Sequence, residues 1–166
     1  YMEIDDDFIK DILEAEEQNK VKNYALNQLS YLQRSEKELY SSLRRKGFEE
    51  KHIQNVIDFC RQNKYLDDRA FTQAFINDKM NLNKYGPERI RYELLMKGVS
   101  NEIINRYLTV DSDEQYEIAF ELAEKKFKSY KNNDRNSVYR KMTGYLQRKG
   151  YSYDIINKVI TNILRD

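Results

Sequence analysis

The segment RSEKELYSSLRRKGF, residues 34–48, carries both a helix start signal and a helix stop signal. Ser35 is a preferred N-cap residue, and Glu38, three positions later, completes a capping box. Gly47 suits the left-handed backbone conformation that ends many helices. Apolar residues recur between these signals at the spacing of one helix face. The segment therefore predicts a short amphipathic helix with a defined beginning and end.

The same pattern occurs three times along the chain. Gly47, Gly98 and Gly150 are spaced by 51 and 52 residues, and each follows a lysine and precedes an apolar residue. Further apolar residues lie eight and four positions before each glycine, and six and ten positions after it. This period indicates a repeated supersecondary element that buries its apolar face by packing against its neighbours.

Helical periodicity and the scarcity of Gly and Pro predict three helices in each repeat. In the first repeat these are residues 20–33, the segment from Ser35 to Gly47, and residues 50–62; in the second they are 68–81, 87–97 and 100–109; in the third they are 113–130, 137–149 and 152–164. An extra acidic helix is expected over residues 5–18. The expected fold is all-α, an elongated and curved tandem array of three three-helix repeats with an extra N-terminal helix. The expected boundaries are 1–19, 20–64, 65–110 and 111–166.

The middle helix of the second repeat is more apolar than its counterparts. Tyr92, Leu95 and Met96 stand where the first repeat has Ser41, Arg44 and Arg45. A helix that is apolar on most sides is expected to be buried on more than one side. We therefore expect the second repeat to lie between the other two.

Charge is distributed unevenly, although the formal net charge is only +1. Residues 1–20 contain eight acidic side chains and two lysines, so the remaining 146 residues carry a net charge of +7. That body is basic enough to suit a nucleic-acid or acidic protein partner. The single cysteine excludes an internal disulfide and suits a reducing compartment. No apolar run is long enough to span a membrane, and the first residue is Tyr rather than Met, which suggests that an upstream region is missing.

Three stretches of the sequence resemble the RecX family of bacterial recombination regulators. They are RSEKEL…KGF in the first repeat, KYLDDRAF at 64–71, and YGPERIRYELLMKGVS at 85–100. The resemblance covers about residues 24–164. It implies a non-enzymatic, cytoplasmic protein without cofactors that acts in DNA repair, recombination and the SOS response.

The resemblance also implies a partner and a mode of action. Proteins of this family lie along the groove of the RecA recombinase filament and inhibit its growth and activities, and they bind DNA weakly. We expect a monomer that binds this filament, with single- or double-stranded DNA as a further partner and no membrane association. The alternatives are a helical-repeat DNA-binding or adaptor protein without recombinase preference, and a metal-dependent nuclease.

The candidate contact residues are basic and cluster around the glycine-terminated helices. They are Arg34, Arg44, Arg45, Lys46, Arg89, Arg91, Lys97, Arg140, Lys141, Arg148 and Lys149. A lysine before the terminal glycine is favoured by the helix dipole alone, whereas clusters of cations indicate a positive ridge. For Arg89, an ion pair with Glu93 and a contact to a partner or to another repeat both remain open.

Other chemistry-bearing residues have structural explanations. Asp67 and Asp68 could ligate a metal, but the pattern favours helix capping, with Asp67 as the N-cap of the helix that follows. The acidic pair Asp111 and Asp113 is the other candidate for a nuclease. His52 and Cys60 are expected to pack in the interior, and no cluster typical of catalysis, metal binding or phosphate binding is visible.

Overall fold

The computed structural model describes residues 5–130 and 132–165, and these residues form nine α-helices and no strand. The helices are α1 (Asp6–Tyr31), α2 (Glu36–Lys46), α3 (Glu50–Gln62), α4 (Asp68–Asn81), α5 (Pro87–Met96), α6 (Asn101–Tyr107), α7 (Ser112–Phe127), α8 (Arg135–Lys149) and α9 (Tyr153–Ile163). A 3₁₀ turn, Lys128–Tyr130, follows α7. The predicted all-α class and the three helices of each repeat are confirmed. None of the helices in these ranges is both long and apolar enough to cross a membrane.

Helix α1 joins two segments that the sequence pattern separates. The acidic segment is the first half of one 26-residue helix and is not an independent extra helix. No Gly or Pro interrupts the chain between Asp5 and Tyr31, so nothing stops the helix once it has begun. The acidic half is tied to α3, since the Lys51 ammonium lies 2.7 Å from a carboxylate oxygen of Glu14.

The predicted helix caps are present and account for the helix bounds. Ser35 and Glu38 form the capping box of α2, and Asp67 accepts hydrogen bonds from the first N–H groups of α4. Gly47 and Gly150 adopt the left-handed conformation, with φ of 93° and 101°. Local side-chain chemistry therefore sets most of the boundaries.

The chain divides into two compact units. The first comprises the residues up to Phe71 together with the turn Lys97–Val99. In it, α1, α2 and α3 enclose one hydrophobic core. The buried residues of this core are Val21, Ala25, Leu39, Leu43, Ile53, Val56, Ile57, Cys60 and Leu66.

The second unit comprises Thr72–Met96 and the residues from Ser100 onward. Helices α7, α8 and α9 form its principal core. The buried residues there are Ala119, Ala123, Val138, Met142, Leu146, Tyr151, Ile155, Ile156, Val159 and Ile160.

Helix α5 buries only one face, contrary to the expectation from its composition. Ile90 and Leu94 are fully buried, whereas Tyr92 and Met96 are 63% and 62% exposed and Leu95 is 39% exposed. Two buried positions four residues apart form one ordinary amphipathic stripe. The predicted burial of the second apolar face is therefore wrong, and that face is exposed.

Candidate partner-binding surface

The basic run at the end of α2 contains one unpaired cation. Arg44 forms an ion pair with Glu50, with 3.1 Å between nitrogen and oxygen. The Lys46 ammonium lies 5.5 Å from the centre of the Tyr24 ring, within range of a cation–π contact. Arg45 is exposed, and its guanidinium has no partner among the described residues. Of the three, Arg45 is the side chain free to bind another molecule.

Helix α8 is the equivalent helix of the third repeat. Its basic side chains also include some that contact other residues and some that do not. Arg140 and Arg148 are exposed, and their guanidinium groups have no partner in the described ranges. Lys141 lies 5.4 Å from the centre of the Tyr130 ring. Lys149 points inward and donates a hydrogen bond to the carbonyl of Asn83 at 3.1 Å. Arg148 matches Arg45 in position and in exposure.

The candidates in the second repeat make structural contacts. Arg89 forms the ion pair with Glu93 at 3.5 Å and also donates to the carbonyl of Arg148 at 2.9 Å. Arg91 donates to the side-chain oxygen of Asn105 at 2.7 Å. Arg89 therefore forms the predicted ion pair with Glu93 and also contacts the third repeat through Arg148, and both contacts lie within the second unit.

Arg34 and Lys97 lie in the first unit and are half-buried. The Lys97 ammonium is 3.0 Å from a carboxylate oxygen of Glu38. The Nε atom of Arg34 is buried without a hydrogen-bond acceptor in the part of the chain that the structure describes. Lys97 therefore has a structural partner, and the side chain of Arg34 is partly enclosed at the start of α2.

In the second unit, the Lys149–Gly150 turn docks onto the start of α5. The N–H of Gly86 donates to the carbonyl of Lys149 at 2.7 Å, and the N–H of Glu88 donates to that of Gly150 at 3.0 Å. The free N–H groups at the beginning of one helix thereby satisfy the free carbonyls at the end of another. The opposed ends of the two helix dipoles also attract each other.

In the first unit, the Lys97–Gly98 turn docks onto the start of α2 in a related way. The Ser35 hydroxyl donates to the carbonyl of Lys97 at 2.6 Å, and the Lys37 side chain packs directly against Gly98. The carboxylate of Glu38 then binds the Lys97 ammonium. Each of these Lys–Gly turns therefore closes a helix and also contacts the middle helix of the preceding repeat.

The first Lys–Gly turn is not covered in this way. A Cβ atom built on Gly47 would meet no described atom within 4 Å, whereas at Gly98 and Gly150 it would come within 3.0 Å of Lys37 and Arg89. No described residue donates a hydrogen bond to the carbonyls of Arg45, Lys46 or Gly47. The Lys46–Gly47 turn at the end of α2 is therefore uncovered, whereas the turns at Gly98 and Gly150 each form a junction with the start of another helix.

Two clefts lie beside the occupied junctions, one in each unit. A cleft of about 250 Å³ is lined by Pro87, Arg91, Gln115 and Tyr151, among others, and the side-chain oxygen of Gln115 is buried there without a partner among the described residues. The other, of about 370 Å³, includes Asp68 in its lining. Burial raises the pKa of this carboxyl group.

Three of the carboxylates considered for metal binding, those of Asp67, Asp68 and Asp111, accept hydrogen bonds at helix N-termini instead. Asp67 and Asp111 accept from backbone N–H groups of α4 and α7, and Asp68 accepts from the N–H of Glu36 at 2.9 Å. Within the described ranges, no group of three or more His, Cys, Asp and Glu side chains is placed to hold a metal ion. Capping is therefore the role that the geometry assigns to these acids.

His52 and Cys60 are buried, as expected. A ring nitrogen of His52 lies 2.7 Å from the side-chain oxygen of Gln18, which joins α3 to α1. Cys60 is completely buried, and this burial raises the pKa of its thiol, so the reactive thiolate is disfavoured.

The sequence pattern did not predict the backbone carbonyls that accept hydrogen bonds from the residues around Gly150. The carbonyls of Asn83 and Lys84 receive hydrogen bonds from Lys149 and Tyr151. These carbonyls belong to the loop before YGPERI, and backbone acceptors leave no signature in the side-chain pattern. The small residues Ser35 and Gly86, each twelve positions before a terminal glycine, are the one visible signal.

These features define a class of protein: an all-helical repeat protein whose repeats join through glycine-terminated helices. The sequence comparisons identify the family within that class. Residues 22–60, 67–108 and 113–160 match the models for the first, second and third three-helix domains of RecX. The chain belongs to the RecX family.

Individual relatives agree with this assignment. The chain is 37% identical over 163 residues to the regulatory protein RecX of Clostridioides difficile strain 630, covering 98% of this chain and 76% of the relative. The crystal structure of RecX from Lactobacillus salivarius matches with a TM-score of 0.78 and 30% identity, covering 90% of this chain and 97% of the other. A second crystal structure of a regulatory protein RecX matches with a TM-score of 0.84 and 28% identity, covering 95% and 78%.

Proposed function

We propose that this protein binds the filament that the RecA recombinase forms on DNA and inhibits its growth and activities. It acts without catalysis, as a cytoplasmic monomer that modulates recombination, DNA repair and the SOS response. Each of the three repeats contributes contacts to the filament. Several modest contacts on one body together give strong binding through their effective concentration.

The observation that carries this proposal is the pattern of unpaired arginines. Arg45, Arg140 and Arg148 are exposed on the middle helices of the first and third repeats and have no partner among the described residues. Neighbouring cations in the same runs are engaged within the chain, as Arg44 and Lys149 are. Arginine pairs well with carboxylates and phosphates, and a nucleoprotein filament offers both.

Charge reversal tests these contacts directly. We expect Arg45→Glu combined with Arg148→Glu to weaken filament binding more than either change alone, because each removes an attraction and adds a repulsion. Inhibition of recombinase ATP hydrolysis should fall in parallel. Fluorescence anisotropy against the assembled filament measures the first quantity, and a coupled ATPase assay measures the second.

A matched double variant controls for overall charge. Lys20 and Lys158 are exposed, lie one in each compact unit, and have no partner in the described ranges. Reversing both to Glu changes the net charge equally and should leave filament binding near the wild-type level. Undiminished ATPase inhibition by the Arg45 and Arg148 double variant would contradict the proposal.

Free DNA distinguishes the alternative function. Exposed arginines also suit the phosphates of bare DNA, as in a helical-repeat DNA-binding protein without recombinase preference. Binding to naked single-stranded DNA as tight as binding to the filament would favour that alternative. A marked preference for the filament would favour the regulator.

A further inference from the structure

Helix α5 carries an exposed apolar face that continues into a cleft. This α5 face consists of Glu88, Arg91, Tyr92, Leu95 and Met96, which lie side by side because they are three or four positions apart. Glu88 and Arg91 also line the cleft of about 250 Å³ at the beginning of the helix. The whole face and the whole cleft lining belong to the second unit. They therefore form one continuous surface within that unit.

The cleft contains a polar side chain that the fold leaves unsatisfied. Gln115 is only 3% exposed, and its side-chain oxygen has no hydrogen-bond donor among the described residues. A buried amide without a partner costs free energy, and a leucine of similar size would avoid that cost. Because Gln115 lies in the lining of the cleft, a molecule bound there can supply the missing donor.

The rest of the lining indicates the chemistry of that molecule. The walls are largely apolar and include Pro87, Val110, Tyr151 and Ile155. Arg91 donates from Nη1 to the side-chain oxygen of Asn105 at 2.7 Å, which holds the guanidinium in place and leaves its other N–H groups as donors. The volume is smaller than that of a typical pocket for a drug-sized ligand and suits one large side chain. A peptide fits these features, because it carries an apolar side chain beside an amide that both donates and accepts.

The composition of the α5 face favours a protein over a nucleic acid as the source of that peptide-like group. Aromatic residues, methionine and arginine are enriched at protein–protein interfaces, and this face presents Tyr92, Met96 and Arg91. A nucleic acid needs several cations for its phosphates, whereas Arg91 is the only basic residue of the face and Glu88 adds a negative charge.

We propose that the cleft beside Gln115 receives a large apolar side chain from a peptide segment of a protein partner. A backbone N–H of that segment donates to the side-chain oxygen of Gln115, and a backbone carbonyl accepts from Arg91. The adjoining residues of the segment lie along the α5 face, against Tyr92, Leu95 and Met96. Burial of one anchoring side chain supplies most of the affinity. This site is separate from the arginine contacts of the proposed function, and its test needs no filament.

Titration with a defined peptide tests the site. Acetyl-Ala-Phe-Ala-amide carries one large apolar side chain between backbone amides, and acetyl-Ala-Ala-Ala-amide is the matched control. We expect the first peptide to cause saturable NMR shifts of the Gln115 side-chain amide and of the backbone amides of Tyr92 and Leu95. The control peptide should bind at least about tenfold more weakly, because it lacks the side chain that the cleft buries.

Three variants separate binding from folding. Gln115→Leu removes the amide from the cleft, so the phenylalanine peptide should bind at least about tenfold more weakly, while the melting temperature should not fall. Gln147→Leu makes the same change at an exposed position of α8 and should bind like the wild type. Val110→Trp, at an exposed position of the cleft lining, should block the cleft and weaken binding without disturbing the core.

Several results would overturn the proposal. One is the absence of saturable shifts with the phenylalanine peptide up to about 10 mM. Unchanged binding by Gln115→Leu or by Val110→Trp would show that the peptide does not occupy the cleft. A clear fall in the melting temperature of Gln115→Leu would show that the fold itself satisfies the amide. Shifts of the same residues with deoxyguanosine instead of the peptide, or with rising protein concentration alone, would assign the cleft to a nucleobase or to a second copy of the chain.

Discussion

At the scale of the residue, the three terminal glycines share one backbone conformation in different surroundings. Their φ values are 93°, 82° and 101°, a region that side-chain-bearing residues rarely adopt. Gly47 meets only this conformational requirement. Gly150 meets a second one, because a Cβ there would lie 2.6 Å from the backbone nitrogen of Arg89. The same sequence motif therefore carries different energetic weight in different repeats.

This difference predicts unequal costs for the same substitution. Gly47→Ala should lower the free energy of unfolding by about 1–2 kcal/mol, the usual cost of a left-handed alanine. Gly150→Ala adds a collision with the backbone of α5 and should cost at least about 2 kcal/mol more, since the packed junction cannot relax freely. Urea unfolding of both variants measures the difference, and equal costs would contradict the close approach at Gly150.

At the scale of the element, helix bounds could be predicted because their signals are local. Ser35, Asp67, Gly47 and Gly150 act within one turn of their own helix, and the structure places all four as caps. The continuity of α1 and the exposed face of α5 could not be read in this way. Whether an apolar side chain such as Tyr92 is covered depends on segments distant in sequence, which periodicity does not locate.

The cap of α2 should be worth more than an ordinary cap. The hydroxyl of Ser35 accepts from the N–H of Glu38 and donates to the carbonyl of Lys97, and the residue is fully buried. Ser35→Ala should cost about 2–3 kcal/mol, because it removes a cap and leaves the part-buried carbonyl of Lys97 without its donor. Ser100→Ala removes an exposed cap alone and should cost about 1 kcal/mol. Denaturant unfolding compares the two, and equal losses would argue against the Lys97 hydrogen bond.

Glu38 should make the stability of the protein depend on acid pH. Burial favours its neutral form, but the N–H of Ser35 and the ammonium of Lys97 together hold its pKa below the ordinary value of 4.5. Because the unfolded chain then binds the proton more readily, this stabilisation is complete above the unfolded pKa and is lost as the pH falls through the folded pKa.

The substitution Glu38→Gln tests this assignment. It removes the titrating group while keeping an acceptor for the N–H of Ser35. Unfolding free energies measured from about pH 5 to about pH 3 should fall less steeply for the variant than for the wild type. Parallel curves would show that Glu38 does not contribute to the acid sensitivity.

At the scale of the whole molecule, the sequence predicted the repeats but not the contacts that join them. The spacing of the glycines shows that Lys46, Lys97 and Lys149 occupy equivalent positions in the three repeats. It does not show that Lys97 and Lys149 contact a preceding repeat, since their partners Glu38 and Asn83 lie 59 and 66 residues away. Of the basic candidates, the structure engages Arg44, Arg89, Arg91, Lys97 and Lys149 within the chain and leaves Arg45, Arg140 and Arg148 exposed.

The binding preference of the intact protein tests the central claim most directly. Fluorescence anisotropy can compare its affinity for the assembled recombinase–DNA filament with its affinities for free single-stranded DNA and for free recombinase. Contacts spread over three repeats predict that the filament is bound at least about tenfold more tightly than either component. Equal affinity for the filament and for bare DNA would contradict a filament-directed regulator.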